Sequence, residues 1–109
     1  MKRLKNKHIL VMVTTASKLE AETITQRLLE ARLIACANIV GPVYSRFLWS
    51  GKIDTAEEYL VLMKSRKDLF KILSESVKAL HSYEVPEIIA IPVVDVSKAY
   101  LEWLDNCLR

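Results

Sequence analysis

Residues 37–63 read ANIVGPVYSRFLWSGKIDTAEEYLVLM. Two apolar arms, Ala37 to Trp49 and Glu58 to Met63, flank the polar turn Ser50-Gly51-Lys52, the pattern of a β-hairpin. Pro42 has no N–H to give a ladder, so Gly41-Pro42 marks a bulge or an edge. At about 3.3 Å per residue the first arm reaches roughly 40 Å. A 100-residue globule has a radius of gyration of only about 13 Å, so the hairpin is expected to project from the body. Phe47 and Trp49, two residues apart, share one face of it with Val43 and Ser45.

Outward from the hairpin the chain alternates. Residues 8 to 15 are apolar and β-branched and read as a strand. Ser17-Lys18-Leu19-Glu20 is a capping box, and Ala21, Ile24, Leu28 and Ala31 follow on one helical face, giving a helix over about 18–33. Beyond the hairpin, Ser65-Arg66-Lys67-Asp68 reads as the start of a second helix with Leu69, Leu73, Val77 and Leu80 inside. Residues 83 to 94 read as the last core strand, Asp95 to Ser97 as a turn, and Tyr100, Trp103, Leu104, Cys107 and Leu108 as the stripe of a final helix. The order β-α-β-β-α-β-α is an α+β, ferredoxin-like βαββαβ sandwich with an extra C-terminal helix. Right-handed crossovers put both main helices on one sheet face. A strand with a wet face alternates apolar and polar residues. Tyr59-Leu60-Val61-Leu62-Met63 and Ile88-Ile89-Ala90-Ile91 do not, so the second face is expected to be covered by other copies of the chain.

Composition agrees with one domain over residues 8–109 preceded by a basic tail, 1–7. The 109 residues are 51% hydrophobic with only 2 Gly and 3 Pro, and mean hydropathy is +0.16, which excludes disordered or collagenous chains. The longest apolar run, Ile9 to Val13, is far short of the about 20 residues that span a bilayer. The same run is short for a secretory signal and alternates into Thr14-Thr15 as a strand does. The formal charge is +3. Lys2, Arg3, Lys5 and Lys7 account for four of the 16 basic residues, so the body is nearly neutral against 13 acidic ones. A folded nucleic-acid binder carries its basic face on the fold, so neither nucleic acid nor membrane is an expected partner. Cys36 and Cys107 form no CxxC and no disulfide framework, which suits a reducing, cytoplasmic compartment.

Chemistry-bearing residues are few. The histidines are His8 and His81, and HExxH, GxSxG and Walker motifs are absent. No serine is singled out for a triad with His81. The Thr14-Thr15-Ala16-Ser17 loop lacks the arginine an acylphosphatase-like anion loop needs, and no aromatic RNP-type run lies on the middle strands. No catalytic residue and no enzymatic activity are expected. His81, before Ser82-Tyr83-Glu84-Val85-Pro86-Glu87, is a candidate for metal or anion coordination with Tyr83 and Glu87 nearby; the plainer alternative is a histidine favoured at a helix C-terminus. Cys36 is a candidate soft ligand for Cu(I) or Zn, or else a small buried residue. Two such ligands per chain fall short of a four-ligand site, so tight metal binding needs another subunit or water. Trp49 is either core or an intersubunit anchor. Glu58 and Lys64 are either solvated strand ends or the lining of a subunit cleft.

Several segments resemble the CutA family, the divalent-cation tolerance proteins: Arg32-Leu33-Ile34-Ala35-Cys36-Ala37-Asn38-Ile39, Trp49-Ser50-Gly51-Lys52-Ile53, Glu58 with Met63-Lys64-Ser65, His81-Ser82-Tyr83-Glu84-Val85-Pro86-Glu87 and Tyr100-Leu101-Glu102-Trp103-Leu104. The matches run in order from residue 9 to 109. The resemblance implies a ferredoxin-like subunit in a homotrimer similar to PII-type signalling proteins. It implies a role in metal response with copper or other divalent metal binding, no required cofactor and no enzymatic activity. Carried over by position, the metal candidates are His81 and Cys36, and the ligand cleft is Trp49, Glu58, Lys64, Tyr83 and Glu87. Where some members carry a first-strand Cys and a His-His pair, this chain has Thr14 and Leu80, neither a soft-metal ligand. A ligand-free scaffolding trimer and a PII-like small-molecule sensor are the alternatives.

Overall fold

The computed structural model describes residues 7–109; the expected basic tail, apart from Lys7, lies outside them. The elements are β1 (His8–Thr15), α1 (Lys18–Glu30), β2 (Cys36–Trp49), β3 (Lys52–Arg66), a 3-10 turn (Lys67–Leu69), α2 (Phe70–Leu80), β4 (Ile88–Pro92) and α3 (Lys98–Cys107). The strands form one antiparallel sheet ordered β2-β3-β1-β4, the ferredoxin-like arrangement. Odd-numbered residues of β1 and β3 face the helices. Val11, Val13, Val61 and Met63 are completely buried there against Ile24 and Leu28 of α1 and Leu73 and Val77 of α2.

The α1 capping box forms, displaced by one residue. Ser17 Oγ accepts the Glu20 N–H at 3.1 Å, while Glu20 Oε1 accepts the N–H of Ala16 at 3.0 Å. The helix stops at Glu30, before the expected residue 33. Arg32 turns left-handed (φ 57°), the Leu33 N–H reaches the Leu28 carbonyl and the Arg32 N–H the Leu29 carbonyl, both at 3.0 Å. This is a Schellman motif with Arg in the position glycine usually takes, closed by buried Leu28 and Leu33.

Two expected boundaries move. Ser65 does not cap α2: it lies inside β3, fully buried, and its Oγ donates to the Leu33 carbonyl at 2.6 Å. The last core strand is Ile88–Pro92 rather than 83 to 94. Side chains answer the backbone before it: the Ser82 N–H goes to Glu20 Oε2 at 2.6 Å and the Tyr83 N–H to His81 Nδ1 at 3.0 Å. Those two donors at the entry are thus satisfied without a ladder. The α3 stripe also divides. Leu104 and Leu108 enter the core, whereas Tyr100 and Trp103 stay exposed with ring centroids 5.3 Å apart.

The hairpin projects as expected. The radius of gyration is 14.8 Å and the long axis 48 Å, against about 13 Å for a compact chain of this size. Ser50 (φ 51°) and Gly51 (φ 75°) make its two-residue turn, and β3 begins at Lys52. At Gly41-Pro42, on the edge strand β2, the register steps from Val40↔Leu60 to Val43↔Glu58, one residue more on β2 than on β3. Because side chains alternate with period two, this extra residue flips β2. Cys36, Asn38 and Val40 face away from the helices before the bulge; Val43, Ser45, Phe47 and Trp49 do so after it. The helix-free face is therefore one continuous surface that includes Leu10, Met12, Leu60, Leu62, Ile89 and Ile91. Ile89 and Ile91 are 49% and 43% exposed on it.

Candidate functional site

The candidate residues gather in two places on one chain, with Trp49 and Glu87 apart from both. The first lies where α2 hands over to β4. His81 ends α2, and its side chain is wholly enclosed. A backbone N–H can only donate, so Nδ1 must be the acceptor from Tyr83, and Nε2 then donates to the Thr14 carbonyl at 2.7 Å. The ring is thus neutral, Nε2–H, with both nitrogens in use. A metal on His81 would have to displace one of these partners. The Tyr83 ring lies 4.8 Å away, tilted by 47°, and its hydroxyl donates to Glu58 Oε2 at 2.9 Å. Burial first, then the hydrogen bond and charge of Glu58 and the charge of Glu20, push the Tyr83 hydroxyl up to about 12. Glu58, on the helix-free side of β3, is only 6% exposed.

Glu20, which the sequence marks only as a helix cap, belongs to this cluster. Its Oε2 accepts the Ser82 N–H and stands 3.8 Å from His81 Nδ1. Burial works to raise the Glu20 carboxyl, but the donors from Ser82 and Ala16 outweigh it and hold the carboxyl below its usual range. The capping box therefore ties α1 to the loop that carries His81 and Tyr83.

The second place is the far end of the same sheet face. Cys36, Lys64, Leu10 and Ile91 stand in one cross-strand row. Lys64 Nζ donates to Asn38 Oδ1 and lies 3.7 Å from Cys36 Sγ. Tyr100 of α3 adjoins this row; burial first, then the Cys36 and Cys107 thiols, raise its hydroxyl. Neither Asn38 nor Tyr100 stands out in the sequence as a site residue. Asn38 does carry a signal, a polar residue facing outward in an apolar arm. Leu10 and Thr14 are four residues apart on β1, so Cys36 and His81 are separated by about 13 Å along the strands. Among the described residues no group of three or more His, Cys, Asp or Glu could hold a metal ion.

Trp49 stands at the hairpin tip, 66% exposed, on the same face as Glu58. Glu87 is exposed just before β4. Chemically, the first place offers an enclosed carboxylate with one hydroxyl donor, and the second a cation beside an amide and a thiol. Both lie on the sheet face turned away from α1 and α2, where Tyr83 and α3 cover the two ends and Ile89 and Ile91 stay exposed.

The family described as CutA1 divalent ion tolerance protein matches residues 9–107. The chain is 44% identical over 102 residues to the divalent-cation tolerance protein CutA of Archaeoglobus fulgidus, covering 94% of this chain and 99% of that one. Its structure is similar to that of the divalent cation tolerance protein (Cut A1) of Thermus thermophilus, with a TM-score of 0.91 and 40% identity, covering 94% of this chain and 99% of the other. The structure of the Archaeoglobus fulgidus protein, described as periplasmic, superposes with a TM-score of 0.91 at 42% identity and the same coverage.

Proposed function

Since the chain belongs to the CutA1 divalent ion tolerance family, we propose that it acts as a homotrimer that binds a divalent metal or a small ligand weakly at clefts between subunits. The observation that carries this reading is the helix-free sheet face. It is apolar along its middle, yet keeps the buried Glu58–Tyr83 pair at one end and Lys64 with Asn38 and Cys36 at the other. A monomer would leave that surface in water, and a patch of this kind is the mark of an interface. A closed assembly would cover it and bring the Glu58 end of one copy to the Lys64 end of the next. In that cleft a carboxylate, a hydroxyl, a thiol and an ammonium surround a small polar space.

Weak binding follows from the donors. Cys36 and His81 are two soft ligands, and His81 joins a metal only by giving up the Tyr83 amide or the Thr14 carbonyl. Copper or another divalent metal would be bound ligand rather than a required cofactor. The trimer would be self-assembled, without nucleic acid or membrane, and its free Cys36 and Cys107 suit a reducing compartment such as the cytoplasm. We assign it no catalysis, because the His81 ring, the natural general base, has no free lone pair.

Isothermal titration of the full chain with Cu(I), Cu(II) and Zn(II), on wild type and His81→Ala, tests the reading. The expected result is weak, saturable binding that falls roughly tenfold or more in the variant. If no metal gives heat and none moves the unfolding midpoint, the ligand-free scaffolding trimer is the better reading. That alternative rests on one observation, the complete use of the His81 ring within the chain.

A further inference from the structure

On the helix-covered side of the sheet, at the start of α2, lies a groove of about 380 Å³ lined by Ile9, Lys67, Phe70, Lys71, Ala90 and Pro92. It shares no residue with the Glu58–Tyr83–His81 cluster or with the Lys64 row. Its origin is in β4, the edge strand on that side. The residues that pair with Val11 and Ile9 there are Ala90 and Pro92, both small, so the sheet offers α2 little to rest on. Phe70 is left half-buried against the core beside the gap.

The rim is cationic and uncompensated. Neither Lys67 nor Lys71 makes an ion pair among the described residues. Asp68, the nearest acid in the chain, is held by Arg66 Nε at 2.9 Å. The first turn of α2 contains no acidic residue, and Glu75, one turn beyond Lys71, is not within 4.0 Å of it. Grooves of roughly 300–1,000 Å³ accept small molecules, mostly on apolar surface with a few polar groups that set orientation.

We propose that this groove binds a free small-molecule carboxylic acid with an apolar body. The alkyl chain or ring lies on Ile9, Phe70, Ala90 and Pro92, and the carboxylate faces the Lys67 and Lys71 ammonium groups. Charge complementarity selects the acid over a neutral molecule of the same shape, and the apolar floor selects it over a bare anion.

The test is amide chemical-shift mapping of the full chain with octanoate, octan-1-ol and acetate. Octanoate is expected to move the Ile9, Phe70, Lys71 and Ala90 amides saturably. The alcohol and acetate should each bind about tenfold more weakly or worse, the equivalent of losing one charged hydrogen bond or the apolar contact. The exposed double variant Lys67→Glu/Lys71→Glu should keep the fold and lose octanoate binding. Ala90→Leu should fill the floor with the same loss; if it fails to fold, the lysine variant decides alone. Equal binding of octanol and octanoate, no saturable shift, shifts confined to the helix-free face, or binding unaffected in the lysine variant would each overturn the proposal. So would a response of these amides to anionic lipid vesicles but not to octanoate.

Discussion

Replacing Tyr83 by Phe removes one oxygen and leaves the ring, so it isolates the contact on which the first cluster turns. The hydroxyl donates to Glu58 Oε2 at 2.9 Å, and Glu58 is 6% exposed. A hydrogen bond to a charged acceptor contributes about 1.5–3 kcal/mol, and a neutral one about 0.5–1.5. Tyr83 is only half-buried, so water can partly replace the lost donor and the lower half of that range applies, about 2 kcal/mol. Phe keeps the ring beside His81, so no packing term is added. The same exchange in a Glu58→Gln background should cost about 1 kcal/mol, because the acceptor is then neutral. Urea unfolding of the four proteins at neutral pH and one protein concentration measures both costs and their difference. A Tyr83→Phe cost below about 0.5 kcal/mol, or one equal in the two backgrounds, would refute the idea that Glu58 depends on this hydroxyl.

Other predictions concern acid stability and the two glycines. The Glu20 carboxyl is held below its ordinary 4.5 in the fold, so it binds protons less readily than in the unfolded chain. Its stabilising share is present above about pH 4.5 and is lost as the pH falls through the folded value. Glu20→Gln should therefore unfold with a shallower dependence on pH below about 4.5, measured by denaturant titration across pH. At Gly41 a Cβ would sit 2.5 Å from Tyr59 Cδ2, and Gly41→Ala should cost about 1–3 kcal/mol by overpacking. Gly51 has φ +75° but open space around it, so Gly51→Ala should cost only the left-handed penalty, about 1 kcal/mol. Unfolding midpoints that reversed this order would argue against the bulge geometry.

The elements that sequence made legible are those whose local signal and tertiary role coincide. Ser17 caps α1 because its hydroxyl reaches the next turn, and the hairpin closes where Ser50 and Gly51 themselves take positive φ. Ser65 shows the opposite case. Its surroundings look like a helix cap, but β3 runs straight through it and a carbonyl 32 residues away takes its hydroxyl. Residues 83–87 carry strand-like residues, yet Glu20 and His81, distant or lying outside the strand pattern, capture N–H groups at the entry to that segment. The missing β-alternation at Leu60, Leu62, Ile89 and Ile91 falls on the sheet face turned away from α1 and α2. Which hairpin residues share that face depended on the one-residue bulge, which Gly41-Pro42 signalled. The candidate site was legible as residue types; its division into two ends of one face was not, because strand register decides it.

In the proposed homotrimer this face is covered by two further copies of the same chain. Sedimentation equilibrium of the chain measures it most directly, read beside Leu62→Asp, which puts a charge in the middle of the face. Wild type should sediment with a mass three times the 12.5 kDa of the chain, and the variant should dissociate. A wild-type monomer, or a trimer indifferent to Leu62→Asp, would contradict it.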